Sequence, residues 1–134
     1  FNKFIWREAI KFFDGLPPNE QVLDYRKRLE KADVMVLPSY HEGLPHCLIE
    51  ALAASKPIIT TDVPGCREVI LENGILIPPK DSNALFKAML EMINSNKLKT
   101  WSENSFKQAS KFDIYLVNQQ TLRVYEINQW NSVR

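Results

Sequence analysis

Two cysteines, two histidines and four glycines are scattered through 134 residues, and each scarcity removes a class of site. Cys47 and Cys66 stand outside any C-x-x-C pair, so neither a disulfide framework nor a structural zinc site is expected. The glycines, at 15, 43, 65 and 74, are too far apart for G-x-G-x-x-G or a P-loop, which disfavours a nicotinamide dehydrogenase and an NTPase. No D-x-D pair or carboxylate cluster has metal spacing, so no metal is expected. A net charge of +1 gives no footprint for nucleic acid, and the basic run Arg26, Lys27, Arg28 and Lys31 reads as a solvated helix face. No apolar run approaches the ~20 residues of a membrane span. The opening Phe1-Asn2-Lys3-Phe4 has neither an initiator Met nor a signal-peptide pattern, so an internal cut in a longer protein is expected. The few thiols suit a reducing cytosol.

What is present is a soluble globular pattern, 45% hydrophobic and 25% charged, sized for one domain or part of one. Strand and helix signals alternate. Strands are expected near 10–13, 34–37, 57–61 and 75–77. Helices are expected near 20–32, 45–55, 66–71 and 82–93, and from 97 onward with a break near Phe112-Asp113. In the helix capped by Asp81 or Ser82, the apolar stripe is Leu85, Met89 and Ile93. Val34-Met35-Val36-Leu37 is apolar throughout, as a strand buried on both faces would be. The fold class is therefore α/β, a parallel sheet covered by helices, with four strands so few that the sheet is expected to be incomplete. Residues 1–112 form the expected domain and 113–134 a C-terminal helix. Ligands of such sheets bind beyond the strand C-terminal ends, here at Pro38–Leu44, Asp62–Gly65 and Pro78–Lys80.

The first of these loops opens the most informative segment, His41-Glu42-Gly43-Leu44-Pro45-His46-Cys47-Leu48-Ile49-Glu50. Gly43 lets a ligand approach the backbone, and the helix starting near Pro45 offers unpaired amides and the positive end of its dipole. That combination favours a phosphate, with Gly43, Leu44, His46 and Cys47 as candidate donors. Two carboxylates beside an anion must serve something else, and sugar hydroxyls fit, because a carboxylate accepts hydrogen bonds from a diol. Glu42 would sit in the loop and Glu50 roughly 7.5 Å along the helix, among core-facing Leu48, Ile49, Leu52 and Ala53. Ordinary surface roles for both acids are equally compatible with the spacing. Cys47, near a helix N-terminus where thiolates are favoured, is expected to be mildly reactive. His41 either touches substrate or faces water. Arg67 either reaches a diphosphate or pairs with Glu68 or Glu72.

The run Ala32-Asp33-Val34-Met35-Val36-Leu37-Pro38-Ser39, then His41-Glu42-Gly43-Leu44-Pro45 and Leu48-Ile49-Glu50-Ala51-Leu52-Ala53, resembles the donor-site signature of family-four retaining glycosyltransferases. Thr61-Asp62-Val63-Pro64-Gly65-Cys66-Arg67-Glu68-Val69 and Asn73-Gly74-Ile75-Leu76-Ile77-Pro78-Pro79 continue the likeness in order. The variant is similar to bacterial enzymes that build capsule, exopolysaccharide or lipopolysaccharide. The resemblance implies a GT-B architecture of two Rossmann-like domains, with this chain in the C-terminal, donor-binding half. It implies that Glu42 contacts hydroxyls of the transferred sugar, as the catalytic-site acid. Glu50 would bind the nucleotide ribose, and Gly43 and Leu44 would lie by the diphosphate. It further implies a hexosyltransferase acting on a nucleotide-sugar, most commonly a UDP-sugar, without a cofactor. The acceptor would be a glycan or polyprenyl-linked chain, handled by an N-terminal domain at the inner membrane face. The glycine-rich start and upstream basic residue of the family fall outside this sequence, so the chain alone is expected to be inactive. A non-catalytic nucleotide-binding or protein-interaction module is the alternative, and a sugar-nucleotide epimerase of similar build a third.

Overall fold

The computed structural model describes residues 4–5, 25, 27–113, 115–121 and 123. Four strands form one sheet in the order β1 (Phe4–Ile5), β2 (Val34–Leu37), β3 (Ile58–Thr61) and β4 (Gly74–Ile77). Every neighbouring pair is parallel, with Val36 opposite Ile59 and Ile59 opposite Ile75. The short strand at Phe4–Ile5 was not expected; the strand expected at 10–13 and the start of the helix expected from 20 lie outside the described residues. Of that helix, residues 27–31 are helical.

The continuous apolar character of β2 and the complete burial of β3 are explained by their two faces. Met35 and Ile58 point into one core with Leu29, Leu48, Ala51, Leu52, Val63 and Val69. Val34, Val36, Ile59 and Ile77 point into a second core with Ala88, Met92 and Trp101. Helix α1 (His46–Ala53) covers the first face. Its buried residues are Leu48, Ala51 and Leu52, whereas Ala53 is exposed and Ile49 only half-buried, which corrects the expected core stripe by one position. Full burial of Leu48 and Leu52 contributes about 1.5–3 kcal/mol each.

Helix α2 (Ser82–Asn94) covers the other face, and Asp81 caps it by accepting from the Ala84 amide at 2.8 Å. Its buried residues are Ala88 and Met92, with Leu85 and Met89 half-buried and Ile93 exposed, so the apolar stripe is rotated from the one read in the sequence. The expected helix at 66–71 shrinks to a 3-10 turn, Arg67–Val69.

Helix α3 (Leu98–Ala109) crosses beneath the ends at which β3 and β4 begin. Trp101 joins the second core, while Ala109 and Phe112 pack on the first. The helical course stops at Asp113, whose carboxylate accepts from the amides of Tyr115 and Leu116 and restarts the helix. Gly74 opens β4 because a Cβ there would lie 1.8 Å from the Ile58 carbonyl oxygen.

Candidate functional site

The parallel sheet sends the loops after β2, β3 and β4 to one rim, and the loop after β2 is fastened there by β3. Thr60 Oγ1 donates to the Leu37 carbonyl at 2.8 Å, and Thr61 Oγ1 to the Ser39 carbonyl at 2.5 Å. Ser39 Oγ in turn donates to Glu42 Oε1 at 2.5 Å. The carboxylate of Glu42, half-buried, is thus held through a chain of contacts that begins in the central strand.

The turn after β3 braces the same loop. Gly65 has φ +85°, and a Cβ on it would lie 1.9 Å from the Gly43 carbonyl oxygen and 3.1 Å from that of Glu42. Both the left-handed conformation and the close approach require glycine. Gly43 is the opposite case, since a Cβ built on it meets nothing within 4 Å. The peptide after Glu42 is therefore backed by Gly65, while the Cβ direction of Gly43 is open.

Helix α1 starts beside this peptide. Pro45 is its N-cap, extended at φ −72°, one position earlier than a first-turn proline, and no side chain caps the end. The Leu48 amide returns to the Pro45 carbonyl at 3.0 Å, leaving His46 and Cys47 as the first amides without an intrahelical acceptor. The side chains of His41 and His46 are exposed.

The electrostatics tie the two acids to one place. Burial pushes the Cys47 thiol up to about 11, and Glu42 and then Glu50 add to the rise. The expected reactive thiolate is therefore overturned: the dipole at the helix start is outweighed by burial and by two flanking carboxylates. Burial also raises the Cys66 thiol, with Glu42 and Glu68 adding. Glu42 thus acts on both thiols, and Glu50 on Cys47. Glu50 is exposed, and Tyr25, whose hydroxyl titrates high through burial and then through Glu50, lies beside it with its hydroxyl 3.5 Å from the Cys47 carbonyl.

Arg67 pairs with neither Glu68 nor Glu72. Its Nε lies 2.9 Å from Asp62 Oδ1 and its outer nitrogen donates to the Asp62 carbonyl at 3.3 Å, closing the turn after β3. With both side chains about half-exposed, such a pair is worth roughly 0–1 kcal/mol. Among the described residues, no group of three or more His, Cys, Asp or Glu is placed to hold a metal ion, and no helix is long and apolar enough to cross a membrane.

The sequence offers Glu42, Gly43 and the helix start as candidates but does not single out Ser39, Thr60, Thr61 and Gly65, which brace the loop that carries Glu42 and Gly43. Two threonines ending an otherwise apolar strand were the available signal, because each must place its hydroxyl on a partner when buried.

A parallel sheet with helices on both faces and an open loop-to-helix junction beyond the strand C-termini defines a Rossmann-like α/β domain. The chain belongs to the family "Glycosyl transferases group 1", whose model matches residues 7–95. It is 47% identical over 76 residues to a protein of Bacillus subtilis named as a teichuronic acid biosynthesis glycosyltransferase, covering 56% of this chain and 19% of that one. Over 106 residues it is 30% identical to the N,N'-diacetylbacillosaminyl-diphospho-undecaprenol alpha-1,3-N-acetylgalactosaminyltransferase of Campylobacter jejuni, covering 77% of this chain and 28% of the relative. Among solved structures, sucrose-phosphate synthase from Thermosynechococcus elongatus superposes with a TM-score of 0.71 at 27% identity, covering 90% of this chain and 30% of the other. The chain thus spans less than a third of the length of each of these relatives.

Proposed function

We propose that the chain is the donor-binding, C-terminal part of a two-domain retaining glycosyltransferase. It would serve a reaction that moves a hexosyl group from a nucleotide-diphosphate sugar, a UDP-sugar, to a glycan or polyprenyl-linked acceptor of a bacterial surface polysaccharide such as capsule or lipopolysaccharide. The observation that carries this reading is the rim itself: Glu42, fixed by Ser39, stands beside an open glycine and an uncapped helix start. The names of the two curated relatives, both of them glycosyltransferases, support it.

In this reading the amides of Gly43, Leu44, His46 and Cys47 receive the diphosphate and stabilise the charge that grows on it as the glycosidic bond breaks. Glu42 accepts hydrogen bonds from hydroxyls of the transferred sugar and is the catalytic-site acid, positioning the donor rather than attacking it. Glu50, farther along the helix, accepts from the ribose. His41, exposed next to Glu42, is a further candidate for contact with the donor, and Arg67 braces the turn after β3. The reaction needs neither metal nor cofactor at this site. The acceptor belongs to an N-terminal domain at the cytoplasmic face of the membrane, and the chain by itself binds donor without turning it over.

Replacing Glu50 by Ala in the full-length enzyme is expected to raise the donor KM about tenfold or more, the cost of a lost charged hydrogen bond. An unchanged donor KM refutes the ribose assignment. Calorimetric titration of the chain with UDP-glucose, against a Glu42→Ala/Glu50→Ala variant, separates a donor site from a surface that contacts only protein.

A further inference from the structure

On the α2 side of the same rim lies a cleft of about 470 Å³, within the size range of small-molecule sites. Val36, Ile77 and Leu85 form its floor, and Tyr40, Lys80 and Ser82 stand at its edge. Tyr40 is 67% exposed, an unusual position for an aromatic ring only two residues from Glu42. Lys80 places its ammonium over that ring, 5.9 Å from the centroid. Lys80 itself has φ +61°, in the left-handed region that non-glycine residues rarely occupy. A strained residue, an exposed ring and an apolar-floored cleft converge on one spot, and strain of this kind gathers at functional sites.

We propose that this cleft is a second sugar subsite, taking against the Tyr40 ring a neutral pyranose of the acceptor glycan, one that extends past the part held by the N-terminal domain. The negative face of an aromatic ring attracts the weakly positive C–H face of a pyranose. The edge supplies both kinds of hydrogen-bonding group that a polyol needs: the Lys80 ammonium and Ser82 hydroxyl donate, and Asp81 keeps one carboxylate oxygen beyond the one that caps α2. Asp81 beside Lys80 cancels the charge that would select an anion. Thr61 also borders the cleft, but its hydroxyl is committed to the Ser39 carbonyl. That link makes the loop carrying Glu42 a shared wall, with the donor site on one side and this cleft on the other. The proposal rests on the donor reading for the source of the sugar, though not for its binding.

The test is an NMR titration of the full chain with methyl glucoside, methyl galactoside and methyl N-acetylglucosaminide, in wild type and in Tyr40→Ala, Tyr40→Phe and Lys80→Gly. At least one pyranoside is expected to shift the resonances of Tyr40 and Leu85. Tyr40→Ala should weaken it about fivefold to tenfold while Tyr40→Phe keeps it, because the ring face and not the hydroxyl binds. Lys80→Gly should weaken binding and yet raise the melting temperature, since glycine accepts the left-handed backbone, an outcome that a purely structural Lys80 would not give. The proposal is overturned if no pyranoside perturbs the cleft, if Tyr40→Ala binds as tightly as wild type, or if uridine monophosphate displaces the pyranoside from Tyr40. Should UDP-glucose fail to bind while a pyranoside still occupies the cleft, the donor reading falls and the subsite stands.

Discussion

The two ends of the sheet are treated in opposite ways. Where β3 and β4 begin, backbone oxygens are met by side chains of α3. Ser102 donates to the Ser55 carbonyl, Asn104 to that of Glu72 and Ser105 to that of Lys56, each at 2.7 Å, and Gln108 to that of Glu68 at 3.5 Å. Buried Asn73 adds its own bonds to Val69 and Ser105. Where the strands finish, α1 begins uncapped and Gly43 faces open space. One end consumes its polar groups internally, as a stable fold must. The other leaves the first amides of α1 without an intrahelical acceptor. In the proposed reading, stability and recognition are thus separated along the strand axis, and substitutions at each end should report different losses.

The strongest challenge to that separation is Gly65, where the open end is itself braced. Gly65→Ala is expected to cost about 3 kcal/mol or more, because a Cβ both clashes with the Gly43 carbonyl and disfavours the left-handed backbone. Thermal unfolding followed by circular dichroism measures it, and a near-neutral result would mean that the two loops are not in contact.

At the closed end, Ser105→Ala leaves the Lys56 carbonyl and one Asn73 donor without a partner. It should cost about 1–3 kcal/mol in urea unfolding with no change in ligand affinity.

A smaller effect reads the acids through Cys47. A thiol raised to about 11 should react with iodoacetamide about tenfold or more slowly than free cysteine at pH 8. Removing a neighbouring carboxylate by Glu42→Ala should lower the thiol and quicken the reaction. The linkage has a definite sign. The unfolded thiol ionises first, so this group's contribution is full below the unfolded value, about 8.5, and is lost as pH rises toward 11. The smallest expected change is in stability for Gly43→Ala, within about 0.5 kcal/mol, because the added methyl meets nothing. Its effect should instead be on UDP-glucose titration, where affinity falls if the open space receives the diphosphate.

Much of this was legible in the chain. The unbroken apolar run at Val34–Leu37 and the strand signal at Ile58–Thr61 announced a sheet buried on both faces, and Asp81 announced the start of α2. What escaped were facts decided by tertiary contact. Periodicity alone placed the α1 and α2 stripes one position off, because it does not say which of two adjacent residues turns toward the sheet: Ala51 is buried rather than Ala53, and Ala88 and Met92 rather than Met89 and Ile93. Arg67 found Asp62 rather than Glu68 on its own 3-10 turn or Glu72 beyond it, a choice made by a turn geometry that spacing does not encode. The rise of the Cys47 thiol needed its burial to be known, and Ser39 gained significance only once Thr61 was seen to hold it.

The backing of the Glu42–Gly43 peptide by Gly65 has a mechanical consequence. Two loops that touch backbone to backbone behave as one stiff lip and cannot flex as separate fingers. Wrapping a guest molecule then falls to whatever faces the lip, while the lip supplies a fixed anvil.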